Sequence, residues 1–350
     1  MDATTIGVDL AKSVFEVAVA DRHWRLVSRH RFTRTQFERF LRSSPPTHVV
    51  MEACGTSHFW ARVAEAQGHR VSLLPAQYVR PYVRRNKTDR TDAEALLEAV
   101  RSGRIAPVTV KTVLQQELLA LHRIRDQWMA TRTARINALR GFLREHGCTL
   151  ARGARTILAR VTFLLDDASA PIPERLRHVL PLLIEEIRDI EDRIETIERA
   201  LAAVAKEDAV VQRLMQIPGV GLLTATALVA TVGHIHAFRT ARRFASWLGL
   251  TPRERSSGGH RRLGAISKQG DVYLRCLLTH GARSVLLAAH RAAKRGKSLS
   301  RLQQWALAVQ AHRGHNKATV ALANKLARII WVVWSRDVEF REEPAVPEAA

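Results

Sequence analysis

The order of short β-rich and helical runs over residues 1–107 restricts the fold more than any other feature of the chain. Three β-rich runs come first, a short helix candidate follows, and two further strand candidates are each followed by a helix candidate. Three meandering strands followed by alternating units form a mixed sheet flanked by helices. The sequence therefore predicts an α/β domain with the order β-β-β-α-β-α-β-α. In chain order the predicted segments are residues 4–10, 14–20, 24–32, 35–41, 47–53, a helix from 56 or 57 to 67, 71–74 and a helix that begins near 89.

Four acidic residues lie where this fold would bring side chains together. Asp9 and Glu52 lie near the ends of the first and fourth predicted strands, so both are expected at neighbouring strand ends. Asp89 and Asp92 are three residues apart at a helix start and share one helix face. Converging carboxylates repel unless a cation lies between them, and such oxygen ligands suit Mg²⁺ or Mn²⁺. The pattern predicts a divalent metal site; the alternative is that the two Asp residues only complement the helix dipole.

The charge balance of the chain predicts a polyanionic partner. Lys and Arg number 55 against 33 for Asp and Glu, a formal net charge of +22 over 350 residues. A basic surface gains free energy by releasing the counterions condensed on nucleic acid. No apolar run reaches the roughly 18 residues that a membrane span requires, and the N-terminus shows no secretory signal. Because the three cysteines have no paired spacing, we expect a cytoplasmic, reduced protein without a membrane partner.

Residues 108–210 have the pattern of long helices. Residues 115–144 carry apolar side chains at helical spacing between many arginines, and a heptad seam follows later in the region. Eight acids and four bases lie between Glu185 and Glu207, so this stretch should contact protein rather than nucleic acid. Two arrangements are compatible with the seam: an antiparallel hairpin with residues 115–144, or a coiled coil that joins two copies of the chain. The seam residues are Leu183, Ile187, Ile190, Ile194, Ile197, Leu201 and Val204.

The C-terminal third is predicted to be mainly helical. Residues 217–232 combine a proline and two glycines with an apolar run. This is typical of a helix-hairpin-helix element whose backbone N–H groups meet a phosphate, or of a tight turn before a buried helix. Further helices are predicted at 238–250 and 316–335, and the acidic, proline-bearing segment 337–350 is expected to be disordered.

A polar segment rich in Gly, Ser and Arg lies between these helices, at residues 251–270. From Arg253 to Arg301 there are twelve Lys and Arg residues and two acids. A hydroxyl surrounded by guanidinium groups is suited to attack a phosphodiester, because Arg neutralises both the phosphate and the transition state. The alternative is a solvated basic loop that only follows a nucleic-acid backbone. The cations predicted to bind nucleic acid are Lys87, Arg253, Arg255, Arg261, Arg262 and Lys268.

Three motifs resemble the DEDD transposases of bacterial insertion sequences, the insertion-sequence 110 family and its 1111 subgroup. They lie at residues 6–12, 52–56 and 86–93 and contain the four acids. The resemblance implies a bacterial protein whose N-terminal domain has an RNase H-like fold, similar to the Holliday-junction resolvase RuvC. As catalytic ligands of Mg²⁺ (or Mn²⁺) it implies Asp9, Glu52, Asp89 and Asp92.

Residues 217–277 are similar to the C-terminal transposase domain of that family, in which a serine directly before a glycine becomes covalently joined to DNA. This position corresponds to Ser257, and Ser256 is its rival. The resemblance further implies DNA partners (the element ends and the target), a non-coding guide RNA and a homo-oligomer, dimer or tetramer, formed through the helical region. The predicted division is a RuvC-like domain at 1–107, a helical, coiled-coil assembly region at 108–210, a transposase domain at 211–336 and a tail at 337–350.

Two other functions are compatible with the residues. The four acids and water alone would make a RuvC-like, metal-dependent endonuclease, whose cleavage would not need Ser257. A chain with a metal-free core would be a nucleic-acid-binding protein without catalysis. The expected function is a metal-assisted DNA recombinase that forms a phosphoserine intermediate and is guided by RNA, with these two as alternatives.

Overall fold

A computed structural model describes residues 3–83, 89–150 and 156–341, without the side chains of Ala3, Asp89 and Arg90. The chain forms two compact units, one of Met1–Val113 with Val232–Ala237 and the other of Leu114–Thr231 with Phe238–Ala350. The strands are β1 Ala3–Leu10, β2 Val14–Asp21, β3 Leu26–Thr33, β4 His48–Glu52, β5 Arg70–Leu74, β6 Pro252–Glu254 and β7 Leu263–Ile266. The helices are α1 Arg34–Ser43, α2 Ser57–Ala66, α3 Ala76–Val79, α4 Asp89–Arg101, α5 Val113–Glu145, α6 Ile157–Asp166, α7 Glu174–Glu207, α8 Ala209–Met215, α9 Leu222–Val232, α10 Ala241–Trp247, α11 Val272–Lys294, α12 Arg301–Arg313 and α13 His315–Ser335.

The first unit contains a five-stranded mixed sheet with the strand order β3-β2-β1-β4-β5. β1 pairs antiparallel with β2, and β2 with β3, whereas β1, β4 and β5 are parallel neighbours. All five predicted strands of residues 1–107 are present. The third begins at Leu26 rather than Trp24, because Trp24 has a positive φ of 63° in the turn after β2.

Helices cover both faces of this sheet, because successive residues of a strand point to opposite faces. On one face Ile6 of β1 packs with Phe37 of α1 and Trp60 of α2. On the other face Val50 of β4 packs with Leu96 of α4. The predicted mixed sheet with flanking helices is therefore confirmed.

The second unit contains two long helices, α5 and α7, that pack antiparallel. Ile136 and Leu139 of α5 share an apolar cluster with Ile184 and Ile187 of α7. Three ion pairs join the helices, Arg125 to Glu198, Arg132 to Glu191 and Arg135 to Glu186. Residue numbers rise along one helix as they fall along the other, so the pairing is antiparallel. The seam of α7 is thus buried against α5 of the same chain, one of the two arrangements that the heptads allowed.

The rest of the second unit is mainly helical, as predicted, and also contains the antiparallel pair β6–β7, which was not predicted. α8 and α9 flank the turn at residues 216–221; a phosphate-binding role for this turn stays a prediction. The helix predicted at 238–250 begins only at Ala241, because Thr240 caps it by accepting the backbone N–H of Arg243 over 3.2 Å.

Candidate active site

Three of the four predicted acids line one cavity of the first unit. The cavity has a volume of about 440 Å³, and Asp9, Glu52 and Asp92 form part of its wall. All three residues are partly buried. The remaining lining residues are Ala76, Val79, Arg80, Val83 and Leu96. Carboxylates from two strands and one helix therefore open onto the same space.

Strand pairing brings Asp9 and Glu52 side by side. In the parallel pair β1–β4, Val8 is level with Met51, so Asp9 and Glu52 follow at the same level. Level residues on adjacent strands point to the same face of a sheet. The two carboxylates thus meet where the central strands end.

Close packing of α4 on β1 brings Asp92 to the same place. A Cβ atom on Gly7 would lie 2.5 Å from the carbonyl oxygen of Ala93 and 3.1 Å from Cγ of Leu97. A side chain at position 7 would therefore hold the helix away from the strand, and only glycine allows this approach. Because Asp92 directly precedes Ala93, the glycine on β1 determines how near the helical carboxylate comes to the strand-end acids.

The fourth acid, Asp89, is the first residue of α4, but its side chain lies outside the described residues, as does the predicted cation Lys87. Among the side chains that are described, no group of three or more His, Cys, Asp or Glu residues is arranged to hold a metal ion. The donor chemistry of the cavity still fits a hard divalent cation, since three carboxylates line it. The four-acid ligand set stays a prediction.

Arg80 is a cavity residue that the sequence did not single out. It begins the short 3-10 turn Arg80–Tyr82 after α3 and lines the cavity together with the acids. A guanidinium beside carboxylates offers several N–H donors to a phosphate oxygen. The available signal was the basic run at residues 78–90, which leads into the DxxD motif at 89–92.

The predicted nucleophile lies near the end of the solvent-exposed β6–β7 hairpin. Ser257 and His260 pair across it, and the N–H of His260 donates to the carbonyl of Ser257 over 3.0 Å. Between them Gly258 and Gly259 have φ angles of 56° and 78°. Two consecutive positive φ angles are required by a two-residue type I′ turn. Ser257 therefore adjoins a tip that carries no side chains.

The rival serines differ in their hydrogen bonds. The hydroxyl of Ser256 donates to Oε1 of Glu254 over 2.8 Å and accepts the backbone N–H of Arg262 over 3.3 Å. The hydroxyl of Ser257 makes no hydrogen bond within the part of the chain that the structure describes. Ser256 is thus engaged inside the hairpin, whereas the exposed Ser257 is open to an incoming ligand.

The predicted cations of the hairpin are exposed. Arg253 donates to the carbonyl of Ser267 over 2.8 Å, at the base of the hairpin. Arg255 and Arg262 pair through their backbones over 2.9 Å. Lys268 has a positive φ of 55° where the chain leaves β7. These positions give the serine hairpin a basic surface that an anionic ligand can reach.

Comparison with known proteins assigns the chain to a family. A model described as "Transposase IS116/IS110/IS902 family" matches residues 211–299, and a model of IS110-type DEDD proteins, described as "Transposase", matches residues 6–147. The chain is 42% identical to a probable family 20 transposase of Pseudomonas aeruginosa, over 97% of this chain and 99% of that protein. It is 40% identical to the transposase for insertion sequence element IS1111A of Coxiella burnetii, over 97% and 92% of the two chains. The chain belongs to the IS110 family of DEDD transposases.

This IS110-family transposase also resembles the transposase for insertion sequence element IS1328 of Yersinia enterocolitica, with 36% identity over 97% of this chain and 99% of that one. The family assignment makes the chain an enzyme of DNA transposition, with DNA as its substrate. The two matched ranges include both predicted centres, the acids in the first and Ser257 in the second. No helix in the described part of this transposase is both long and apolar enough to cross a membrane.

Proposed function

We propose that this IS110-family transposase cuts and rejoins DNA by attack of Ser257, with assistance from Mg²⁺ or Mn²⁺ held in a RuvC-like, RNase H-like domain. The observation that supports the proposal most is the cavity shared by Asp9, Glu52 and Asp92. Carboxylates gathered at adjacent strand ends and on a neighbouring helix are the donors that metal-assisted phosphodiester chemistry uses.

In this proposal Asp9, Glu52, Asp89 and Asp92 hold the metal ion. When bound, the ion neutralises phosphate charge and stabilises the charge that develops in the transition state. Arg80, which lines the same cavity, donates hydrogen bonds to a non-bridging phosphate oxygen and so keeps the DNA strand in position.

Ser257 forms the covalent intermediate. Its Oγ bonds to phosphorus while the bond from phosphorus to one deoxyribose oxygen breaks; the hydroxyl proton passes to water, and the departing oxygen takes up a proton. The exposed arginines Arg255 and Arg262 offset the negative charge of the transition state. The phosphoserine conserves the energy of the broken phosphodiester, so a DNA hydroxyl can later displace Ser257 and restore a strand without hydrolysis.

The proposal includes a non-coding guide RNA and a homo-oligomer, dimer or tetramer. A net charge of +22 supports binding of more than one nucleic-acid strand. With a guide, base pairing reads the DNA sequence while the protein reads backbone shape. Removing the RNA should then abolish selection of the target sequence while leaving unspecific DNA binding.

A denaturing-gel assay for covalent protein–DNA adducts tests the central step. It uses labelled element-end DNA, RNA from the flanking non-coding region and Mg²⁺, with wild type, Ser256→Ala, Ser257→Ala and Asp9→Ala. We expect an adduct in wild type and in Ser256→Ala, and none in Ser257→Ala or Asp9→Ala. Peptide mapping of the adduct should locate the DNA on Ser257.

Two outcomes would favour the alternatives. Cleaved DNA without an adduct in any lane, with cleavage kept in Ser257→Ala, would indicate a hydrolytic endonuclease that uses the acids and water. DNA binding without cleavage, at every concentration of Mg²⁺ or Mn²⁺, would indicate a nucleic-acid-binding protein with a metal-free core.

A further inference from the structure

Glu254 is the centre of the side-chain bonding in the serine hairpin. Its Oε1 accepts the hydroxyl of Ser256 over 2.8 Å and Nε of Arg261 over 3.3 Å. Ser256 and Arg261 lie on opposite sides of the turn. One carboxylate of β6 therefore bridges the two arms of the hairpin just below its tip.

A backbone bond completes this bridge. The hydroxyl of Ser256, whose proton is committed to Glu254, also accepts the N–H of Arg262 over 3.3 Å. The Glu254 carboxylate, the Ser256 hydroxyl and the backbone of Arg262 on the opposite arm are thus linked by one continuous chain of hydrogen bonds. Ser257 follows Ser256 directly, so the orientation of Ser257 depends on the hydrogen bonds that fix Ser256.

A carboxylate that accepts a hydrogen bond from a serine hydroxyl also has the placement of a general base. The hydrogen bond from Ser256 and the positive charge of Arg261 lower the pKa of Glu254. A lowered pKa makes a carboxylate a weak proton acceptor near neutral pH. Glu254 is therefore suited to remain charged and hold its partners rather than to take the proton of Ser256.

We propose that Glu254 is a positioning residue. Its hydrogen bonds to Ser256 and Arg261, called the brace below, hold the hairpin so that the glycine turn presents the hydroxyl of Ser257 to the scissile phosphate. Ser256 then acts as part of the brace and not as a nucleophile. The inference rests on the proposed serine chemistry and names a residue that this chemistry depends on. Small displacements of a reacting group cost large factors in rate, so the brace matters for rate even though it touches no substrate.

The brace should influence the rate of adduct formation much more than the free energy of unfolding. Arg261 and Glu254 are exposed, with 61% and 49% of their side-chain surfaces accessible. Exposed ion pairs contribute little to the free energy of unfolding because water and salt screen them. A variant without the carboxylate charge should therefore fold as well as wild type and still form the adduct more slowly.

The test measures single-turnover adduct formation in wild type, Glu254→Gln, Ser256→Ala and the double variant, with Glu207→Gln as the matched control. Glu207 is an exposed acid at the end of α7, so its substitution removes the same charge far along the chain. We expect adduct formation about tenfold slower in Glu254→Gln, unchanged in Glu207→Gln, and no further slowing when Ser256→Ala is added to Glu254→Gln. The adduct should stay on Ser257, the melting temperature should not change, and the pH profile should keep its wild-type shape.

Each contrary result would overturn a specific part of the proposal. A wild-type rate in Glu254→Gln would overturn the positioning role while leaving serine chemistry intact. Loss of the adduct in Ser256→Ala, with a flattened pH profile in Glu254→Gln, would make Ser256 the nucleophile and Glu254 its base. Absence of any adduct in wild type would overturn the proposed function and the brace with it.

Discussion

The two candidate centres of this transposase are built in opposite ways. Asp9, Glu52 and Asp92 lie partly buried at the ends of β1 and β4 and at the start of α4, and the packing of segments distant in the sequence brings them together. The serine lies on an exposed hairpin whose bonds join residues within 252–267. The positions of the acids are therefore maintained by packing, whereas the position of the serine is maintained by a few hydrogen bonds.

This difference predicts that the two centres can be disabled separately. In Asp9→Ala both metal binding and adduct formation should disappear, because the cavity loses a carboxylate. In Ser257→Ala the adduct should be absent, because alanine has no hydroxyl to bond to phosphorus, while calorimetric binding of Mg²⁺ or Mn²⁺ stays at the wild-type level. Loss of metal binding in Ser257→Ala would show that the two centres do not act as separate sites.

Gly7→Ala tests how strongly packing determines the acid cavity. The new Cβ would lie 2.5 Å from the carbonyl oxygen of Ala93, so α4 must move away from β1. We expect the free energy of unfolding in urea to fall by about 1–3 kcal/mol and metal affinity to fall with it. Gly55→Ala is the matched control, because its Cβ would meet no atom within 4 Å. Equal stability of the two variants would contradict the close approach of α4.

Acidification should lower the stability of both units, because each contains a histidine whose pKa is lowered by burial. Burial lowers the pKa of His58 and of His122 from 6.5 to about 4, with help from the nearby cations Lys111 and Arg125 respectively. His122 is almost fully buried and bonds to Tyr273 and Thr226, each over 3.0 Å. The folded protein therefore keeps both imidazoles neutral, whereas the unfolded chain takes up protons below pH 6.5.

Stability linked to these histidines is present at neutral pH and is lost as the pH falls from about 6.5 towards 4. For His122 we expect a loss of about 2 kcal/mol between pH 7 and pH 5, and a smaller one for the less buried His58. Urea unfolding of wild type and His122→Gln at both pH values measures this, since the variant should lack that share of the pH dependence. An unchanged pH dependence in His122→Gln would mean that the ring has the same pKa in the folded and the unfolded chain.

Most of the sheet could be predicted from sequence because β1, β2, β4 and β5 each contain a short apolar run with clear breaks, and strand order then places Asp9 next to Glu52. The register that sets Val8 level with Met51 does not follow from strand order and is seen only in the structure. The approach of α4 was harder to predict, because it depends on the missing side chain of Gly7. Arg80 was not singled out, since nothing in a basic run tells which arginine turns towards the acids. The metal-binding role of the acids stays a prediction.

The serine hairpin was missed as a structural element for a different reason. β6 and β7 have only three and four residues and are mostly exposed, so they are too short to show the apolar alternation by which strands are recognised. The Gly258-Gly259 dipeptide was the available signal, because consecutive glycines favour a type I′ turn. The bridge by Glu254 could not be read from the sequence, where it is one acid among many arginines.

The α5–α7 pairing has a consequence for the proposed homo-oligomer. The two helices contain 33 and 34 residues, about 50 Å each, and residues 146–173 tether them. Tethering gives the partners an effective concentration on the order of millimolar, so a free second copy at micromolar concentration is outcompeted for the seam about a thousandfold. Association of intact chains must therefore use outward-facing surfaces, and weakening the seam should first yield domain-swapped pairs, in which the same contacts form between copies.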